Sequence, residues 1–240
     1  MKKIIMYASL FLLLFTISCT QTNQKTLDPN DFILTTADEV NITAEYHETN
    51  AAERAVLLVH MLGHDKSDYD NLSLNLQKSG FTVLAIDLRG HGTSDLDYTT
   101  FTDADWQNLV LDVQAGVDYL EQKGYNRIGV VGASIGANAA LKQGVQDTRI
   151  DALVLLSAGE NYHNLTILDI APFYTRPVMI VVALDDKDAA VAGTKLYNSI
   201  GTVQPNLNLK VYQAGGHGTD MLKNVAGADA TIISWLWSNT

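Results

Sequence analysis

The chain has 240 residues, 47% of them hydrophobic and 18% charged, with 17 Gly, 4 Pro and a single Cys. That hydrophobic content excludes an intrinsically disordered chain, and one Cys excludes an intramolecular disulfide framework or a thiolate zinc cluster. A formal charge of −11, with no clustering of Lys or Arg, argues against a nucleic-acid-binding surface. The expectation is an acidic globular body built as one large domain.

Lys2 and Lys3 precede an uncharged, mostly apolar run from Ile4 to Ile17. As a helix this run reaches about 21 Å, short of the roughly 30 Å core of a bilayer. A basic start and a short apolar stretch are the pattern of a secretory signal peptide. Ser18-Cys19 then resembles the end of a bacterial lipoprotein signal, with Thr16 where such signals usually carry Leu. The resemblance implies cleavage after residue 18, lipidation of Cys19, and an exported chain held at a membrane only through that lipid. Residues 1–18 are thus expected to be a signal, 19–30 a polar tether and 31–240 the folded domain. Losing the signal removes two Lys and no acid, and an acidic body binds anionic lipid poorly.

Phe32–Thr36 and Val40–Tyr46 read as a short antiparallel pair, because both are rich in β-branched and aromatic residues. Ala55–His60 is an apolar run too short for a helix and suited to a strand buried on both faces. A helix over Asp68–Ser79, closed by Gly80, leads to a second buried strand at Thr82–Asp87. Trp106, Leu109, Val110, Val113, Val117 and Leu120 recur at helical spacing, predicting one helix over Ala104–Lys123. Strands follow at Arg127–Gly132, Asp151–Ser157, Pro177–Leu184 and Leu207–Gln213. Helices are predicted over Ser134–Gly144, Ala189–Ile200 and Val225–Trp237. This alternation argues for a mostly parallel sheet with helices on both faces. The stretch from Ser157 to Pro177 is too short for a separate lid domain.

Gly132-Ala-Ser134-Ile-Gly136 falls between a buried strand and a helix. A sharp strand-to-helix turn puts its central residue at positive φ and needs small residues two before and two after. It lifts a Ser hydroxyl above the carboxyl edge of the sheet, at a helix N-terminus that favours developing negative charge. A nucleophilic Ser needs a base, and the base needs an orienting acid. His217, flanked by glycines in Gly215-Gly-His-Gly218, is the candidate base. Asp185, Asp186 and Asp188 cluster at the end of the preceding strand, and Asp188 reads best as the N-cap of the next helix. His60 and His64 straddle a strand end and a Gly loop with no Glu between them, which argues against a zinc site.

These motifs, with His60-Met-Leu-Gly63 and Asp87-Leu-Arg-Gly-His-Gly92, resemble the α/β-hydrolase superfamily from about residue 32 onward. The resemblance implies the α/β-hydrolase fold and a Ser134–Asp186–His217 triad, Asp186 following the small Ala183 by three residues. Asp185 is the close second for the acid. It places an oxyanion hole on the backbone N–H groups of Ile135 and Leu62. Met61 stands where the family usually has Gly, which makes the Met61 N–H an alternative to that of Leu62. Asp87, Arg89 and His91 take a structural role in that family, and Tyr162 and His163 fall where it lines its substrate pocket. No metal or organic cofactor is implied, and the partner is a small ester-type molecule. The same triad serves thioesterases, amidases and peptidases, and an inactive binding protein on this scaffold is the non-enzymatic alternative. Oligomeric state is left open.

Overall fold

The computed structural model describes residues 27–201 and 206–240. The expected signal, Cys19 and most of the tether lie outside the described residues. In chain order the elements are β1 Asp31–Thr35, β2 Asn41–His47, β3 Ala55–Val59, α1 Asp70–Lys78 and β4 Thr82–Ile86. They continue with α2 Asp103–Gln107, α3 Leu109–Gln122, β5 Ile128–Ala133, α4 Ile135–Gln146 and β6 Ile150–Leu156. A hairpin of β7 Asn161–Tyr162 and β8 Leu165–Thr166 precedes β9 Val178–Ala183, α5 Lys187–Ile200 and β10 Leu207–Tyr212. The chain closes with α6 Asp220–Asn224 and α7 Ala228–Asn239.

Among the described residues eight strands form one sheet in the order β1-β2-β4-β3-β5-β6-β9-β10. β1 and β2 pair antiparallel, and β2 is antiparallel to β4; every pairing from β4 to β10 is parallel. The buried runs are strands covered on both sides. In β3, Ala55, Leu57 and Val59 face a cluster with Leu109, Val113 and Ala137. Val56 and Leu58 face the opposite cluster, with Leu72, Leu76, Ile232 and Leu236. Side chains two apart share a face of a strand, so each apolar run supplies both cores at once. This is the mostly parallel, doubly covered architecture expected from the alternation.

Local boundaries differ from the sequence expectation in four places. The Ala104–Lys123 helix is two helices, α2 and α3, which meet at Asn108. A Thr102–Asp105 capping box starts the first, and the Asn108 amide donates to Asp38 at 3.2 Å at the junction. The final helix begins at Ala228 rather than Val225, because Gly227 takes a left-handed conformation (φ 77°) ahead of it. Before α1 the chain makes a 3₁₀ turn at Lys66–Tyr69, which Asp65 caps. Asp188 is not the N-cap of α5: the helix starts at Lys187, Asp186 holds the cap position, and Asp188 lies in the first turn.

The Asp87–Gly92 segment is a structural knot below the carboxyl edge. Arg89 is buried and all three of its guanidinium nitrogens are engaged. Its Nε reaches Asp112 at 2.8 Å, and its two terminal nitrogens reach Asp38 at 2.7 and 2.9 Å. Asp112, buried on α3, also accepts the Arg89 backbone N–H. Burial pushes its carboxyl up to about 7 and the Arg89 guanidinium pulls against that rise. Removing one partner of a buried pair leaves the other without compensation. Arg89→Met is expected to cost about 3–5 kcal/mol of unfolding free energy in urea titrations, much of it recovered in Arg89→Met/Asp112→Leu.

Candidate active site

Ser134 sits between β5 and α4 with φ 53° and ψ −119°, a backbone state costly for a residue with a Cβ. Two glycines make the turn possible. A Cβ on Gly132 would lie 2.7 Å from the Cα of Ala137, and one on Gly136 would lie 2.7 Å from the Val59 carbonyl oxygen. The small positions read from the motif are therefore sites where backbones touch. Ser134 occupies the N-cap position but makes no side-chain capping bond. Its hydroxyl instead meets His217 Nε2 at 2.7 Å.

His217 Nδ1 lies 2.6 Å from Asp186 Oδ2. A carboxylate only accepts, so the proton sits on Nδ1 and Nε2 is left to accept from Ser134. Asp185, the other strand-end carboxylate, does not reach the imidazole. It accepts the N–H groups of Gly215 and Gly216 at 3.1 and 3.2 Å, and the Gly215 bond leads in holding its pKa below the usual carboxylate range. Adjacent acids thus divide two tasks, one on the ring and one on the loop that carries it. Asp188 makes neither contact and stays in the first turn of α5.

The loop after β3 is held by its own histidine. His60 is fully buried; Nδ1 donates to the Met61 carbonyl at 2.7 Å and Nε2 accepts the Leu88 N–H at 2.9 Å. Burial pushes its pKa down to about 4, so the ring is neutral and structural. The Met61 carbonyl also accepts the His64 N–H. A trans peptide points its N–H opposite to its carbonyl, so these bonds fix the direction of the Leu62 N–H. Met61 itself packs against Gly218, where a Cβ would fall 2.7 Å from its sulfur. Gly218 thus makes room for the side chain that replaces the usual glycine.

A cavity of about 430 Å³ opens over Ser134 and His217. Met61, Leu62 and Ile135 form its apolar side, and His64, Tyr162 and Asp220 add polar groups. Both candidate oxyanion donors, Leu62 and Ile135, therefore border the serine's cavity, and Ile135 opens α4, where N–H groups lack helical acceptors. Tyr162 donates to the Ser157 carbonyl at 3.2 Å; burial raises its phenol pKa, and the Ser134 hydroxyl offsets part of the rise. His163 does not line the cavity. It is the exposed first residue of the β7–β8 turn and stacks on Trp106 at 3.9 Å between ring centroids.

Three supporting residues escaped the sequence reading. Ser157, at the end of β6 with φ 50°, accepts the Gly218 N–H on its hydroxyl at 3.0 Å. Asn138, buried one turn into α4, binds Gly159 and Leu165 backbone groups and clamps the hairpin. A polar residue within the apolar first two turns of α4, Ile135–Leu141, was the available signal. Asp68 accepts from His64, Thr219 and Lys223 at 2.6–2.8 Å and ties the loop after β3 to the loop after β10. No group of three His, Cys, Asp or Glu side chains is placed to hold a metal among the described residues.

A family model described as serine aminopeptidase, S33, matches residues 50–176, more than half of the chain. The chain belongs to that family. The matched span includes Ser134 but ends before Asp186 and His217, so the fold alone brings those two into place. An uncharacterised protein of Mycobacterium tuberculosis is 32% identical over 106 residues, covering 44% of this family member and 29% of that protein. A carboxylesterase of Bacillus subtilis is 30% identical over 103 residues, 43% of this chain and 41% of that one. The matches thus span less than half the length of these relatives. An esterase of Pyrococcus furiosus superposes with a TM-score of 0.75 at 22% identity, covering 87% of this chain and 91% of that one. An Exiguobacterium antarcticum esterase gives 0.70 at 15% identity, with 85% and 98% covered. At these identities the likeness is one of fold, and the fold is that of α/β-hydrolases.

Ser157→Ala strips the buried Gly218 N–H of its acceptor. The expected loss of unfolding free energy is about 1–3 kcal/mol, read from the urea midpoint at unchanged slope.

Proposed function

We propose that this chain is a serine hydrolase that cleaves carboxylic esters through an acyl-enzyme. The observation that carries the reading is the continuous chain Ser134 Oγ, His217 Nε2, His217 Nδ1, Asp186 Oδ2, with links of 2.7 and 2.6 Å. Ser134 Oγ attacks the ester carbonyl while His217 Nε2 takes its proton. The resulting oxyanion is stabilised by the N–H groups of Ile135 and Leu62, and the N-terminal dipole of α4 adds to that field. Of the two candidates in the loop after β3, the Leu62 N–H is favoured by the pinned Met61 carbonyl. Collapse of the tetrahedral adduct breaks the ester C–O bond, and His217 returns the proton to the departing alcohol. Water then attacks the acyl-serine with His217 again as base, releasing the acid and restoring Ser134. Asp186 keeps the proton on Nδ1 and stabilises the imidazolium that forms in each step.

The relative described as a carboxylesterase supports an ester substrate, and the family description supports testing amides beside esters. Purified protein is expected to be labelled at Ser134 by a fluorophosphonate probe and to turn over a graded panel of short esters. Ser134→Ala or His217→Ala is expected to lower turnover by about 10⁶. Asp186→Asn is expected to lose about 10⁴ through the wrong tautomer, and Asp185→Asn far less. Absence of labelling would sink the hydrolase reading in favour of a binding protein on this scaffold. Faster cleavage of amino-acid amides than of esters would move the reading to a peptidase.

The N-terminal sequence supports export and lipid anchoring through Cys19. Mass spectrometry of the protein from its native host is expected to find a mature chain starting at a lipidated Cys19. An intact Met1 would refute that.

A further inference from the structure

The cavity contains a second imidazole that the proposed mechanism does not use. His64 lies four residues beyond His60, in the loop that also carries Leu62, and borders the same cavity as Ser134. Its Nδ1 is 2.7 Å from Asp68 Oδ2, and its side chain is 39% exposed while Asp68 is 10% exposed. Asp68 is itself held by Thr219 Oγ1 at 2.6 Å and Lys223 Nζ at 2.8 Å. Burial opposes ionisation of Asp68, and Lys223 and Thr219 outweigh it, keeping its pKa below the usual carboxylate range. The site therefore holds two imidazole–carboxylate pairs, His217 with Asp186 and His64 with Asp68.

The second pair has a defined polarity. A carboxylate on Nδ1 keeps the proton there, so neutral His64 carries its lone pair on Nε2. No partner for Nε2 occurs among the described residues, and the ring atom is free to accept. The cavity's other polar groups differ in commitment. The Tyr162 hydroxyl is given to the Ser157 carbonyl, and His217 is engaged at both nitrogens. Asp220, the one carboxylate bordering the cavity among the described residues, is again an acceptor. Apart from the Leu62 and Ile135 N–H groups facing the oxyanion, the uncommitted side chains of the cavity accept, which selects a ligand that brings donors beside the ester and disfavours one that brings another anion there.

We propose that His64, oriented by Asp68, is a specificity-determining residue that accepts a hydrogen bond from a hydroxyl group carried beside the scissile ester bond. This rests on the ester-hydrolase reading and narrows it to hydroxyl-bearing esters. An anionic substituent at the same place is disfavoured by Asp220.

The test compares 2-hydroxyethyl butyrate with ethyl butyrate, and ethyl 4-hydroxybutyrate with ethyl butyrate, so that the hydroxyl is placed on either side of the ester. In the wild type kcat/KM is expected to favour the hydroxyl ester of at least one pair by about 3- to 10-fold, the worth of one neutral hydrogen bond. His64→Phe should bring that ratio to about one, whatever it does to the absolute rate, and His64→Gln, which retains an acceptor, should keep part of it. Monoethyl succinate should be the poorest substrate and should improve in Asp220→Asn. A ratio near one in both wild-type pairs overturns the proposal. A ratio that survives His64→Phe but disappears in Asp220→Asn overturns it equally.

A second readout separates this inference from the reading beneath it. Ser134→Ala protein with nitrogen-15-labelled histidine is titrated with the hydroxyl ester and with its plain counterpart. The His64 Nε2 resonance should move with the hydroxyl ester alone. That shift, together with a wild type that neither labels nor hydrolyses, would reject the hydrolase reading and uphold His64 as a binding residue. Labelling and turnover with an unmoved Nε2 would do the reverse.

Discussion

The arrangement of the site depends on two backbones coming closer than any side chain allows. Gly136, two residues after Ser134, lies against the carbonyls of Val59 and His60 at the end of β3. Gly132 touches the start of α4 in the same way. With no Cβ at either place, β5 can turn at once into α4, and Ser134 takes up its strained conformation at the top. The same contact seats the serine beside the loop after β3. One steric fact thus decides where the hydroxyl points and which loop faces it.

Around that turn, the loops are positioned by hydrogen bonds to polar side chains rather than by apolar packing alone. His60 ties the loop after β3 to the loop after β4. Asp185 and Ser157 hold the two sides of the His217 loop, and Asp68 joins the loops after β3 and β10. Loops at a sheet edge have exposed backbones with little apolar surface to bury, so polar anchors are what can fix them. Each anchor also restricts a side chain used at the site, which links the stability of the edge to its chemistry. The Arg89–Asp112–Asp38 knot does the same one layer deeper, where it fastens the loop after β4 to α3.

Ser134 and His217 were legible because their glycines stand at fixed offsets in the sequence. Asp186 was legible only as one of three adjacent acids, since a strand end in sequence does not tell which carboxylate faces the ring. Three-dimensional placement resolves them by direction: Asp185 turns toward Gly215, Asp186 toward His217, and Asp188 joins the helix. The β7–β8 hairpin was not read because two-residue strands carry no periodicity, although Asn164 at its turn favours positive φ. His64 was read from its spacing to His60 only against a zinc site; its link to Asp68 and the cavity involves side-chain directions that spacing does not contain.

The amino-acid sequence by itself determined the parallel sheet, the two cores and the sharp turn at Ser134. These follow from local patterns: apolar runs of strand length, helical periodicity, and glycines where backbones must touch. Tertiary structure alone decided which acid meets His217, how Met61 fits against Gly218, and what Ser157, Asn138 and Asp68 hold in place. Each of these is a pairing between residues far apart in the chain. Hydrogen bonds of 2.6–3.1 Å require both distance and direction, and the folded backbone supplies them.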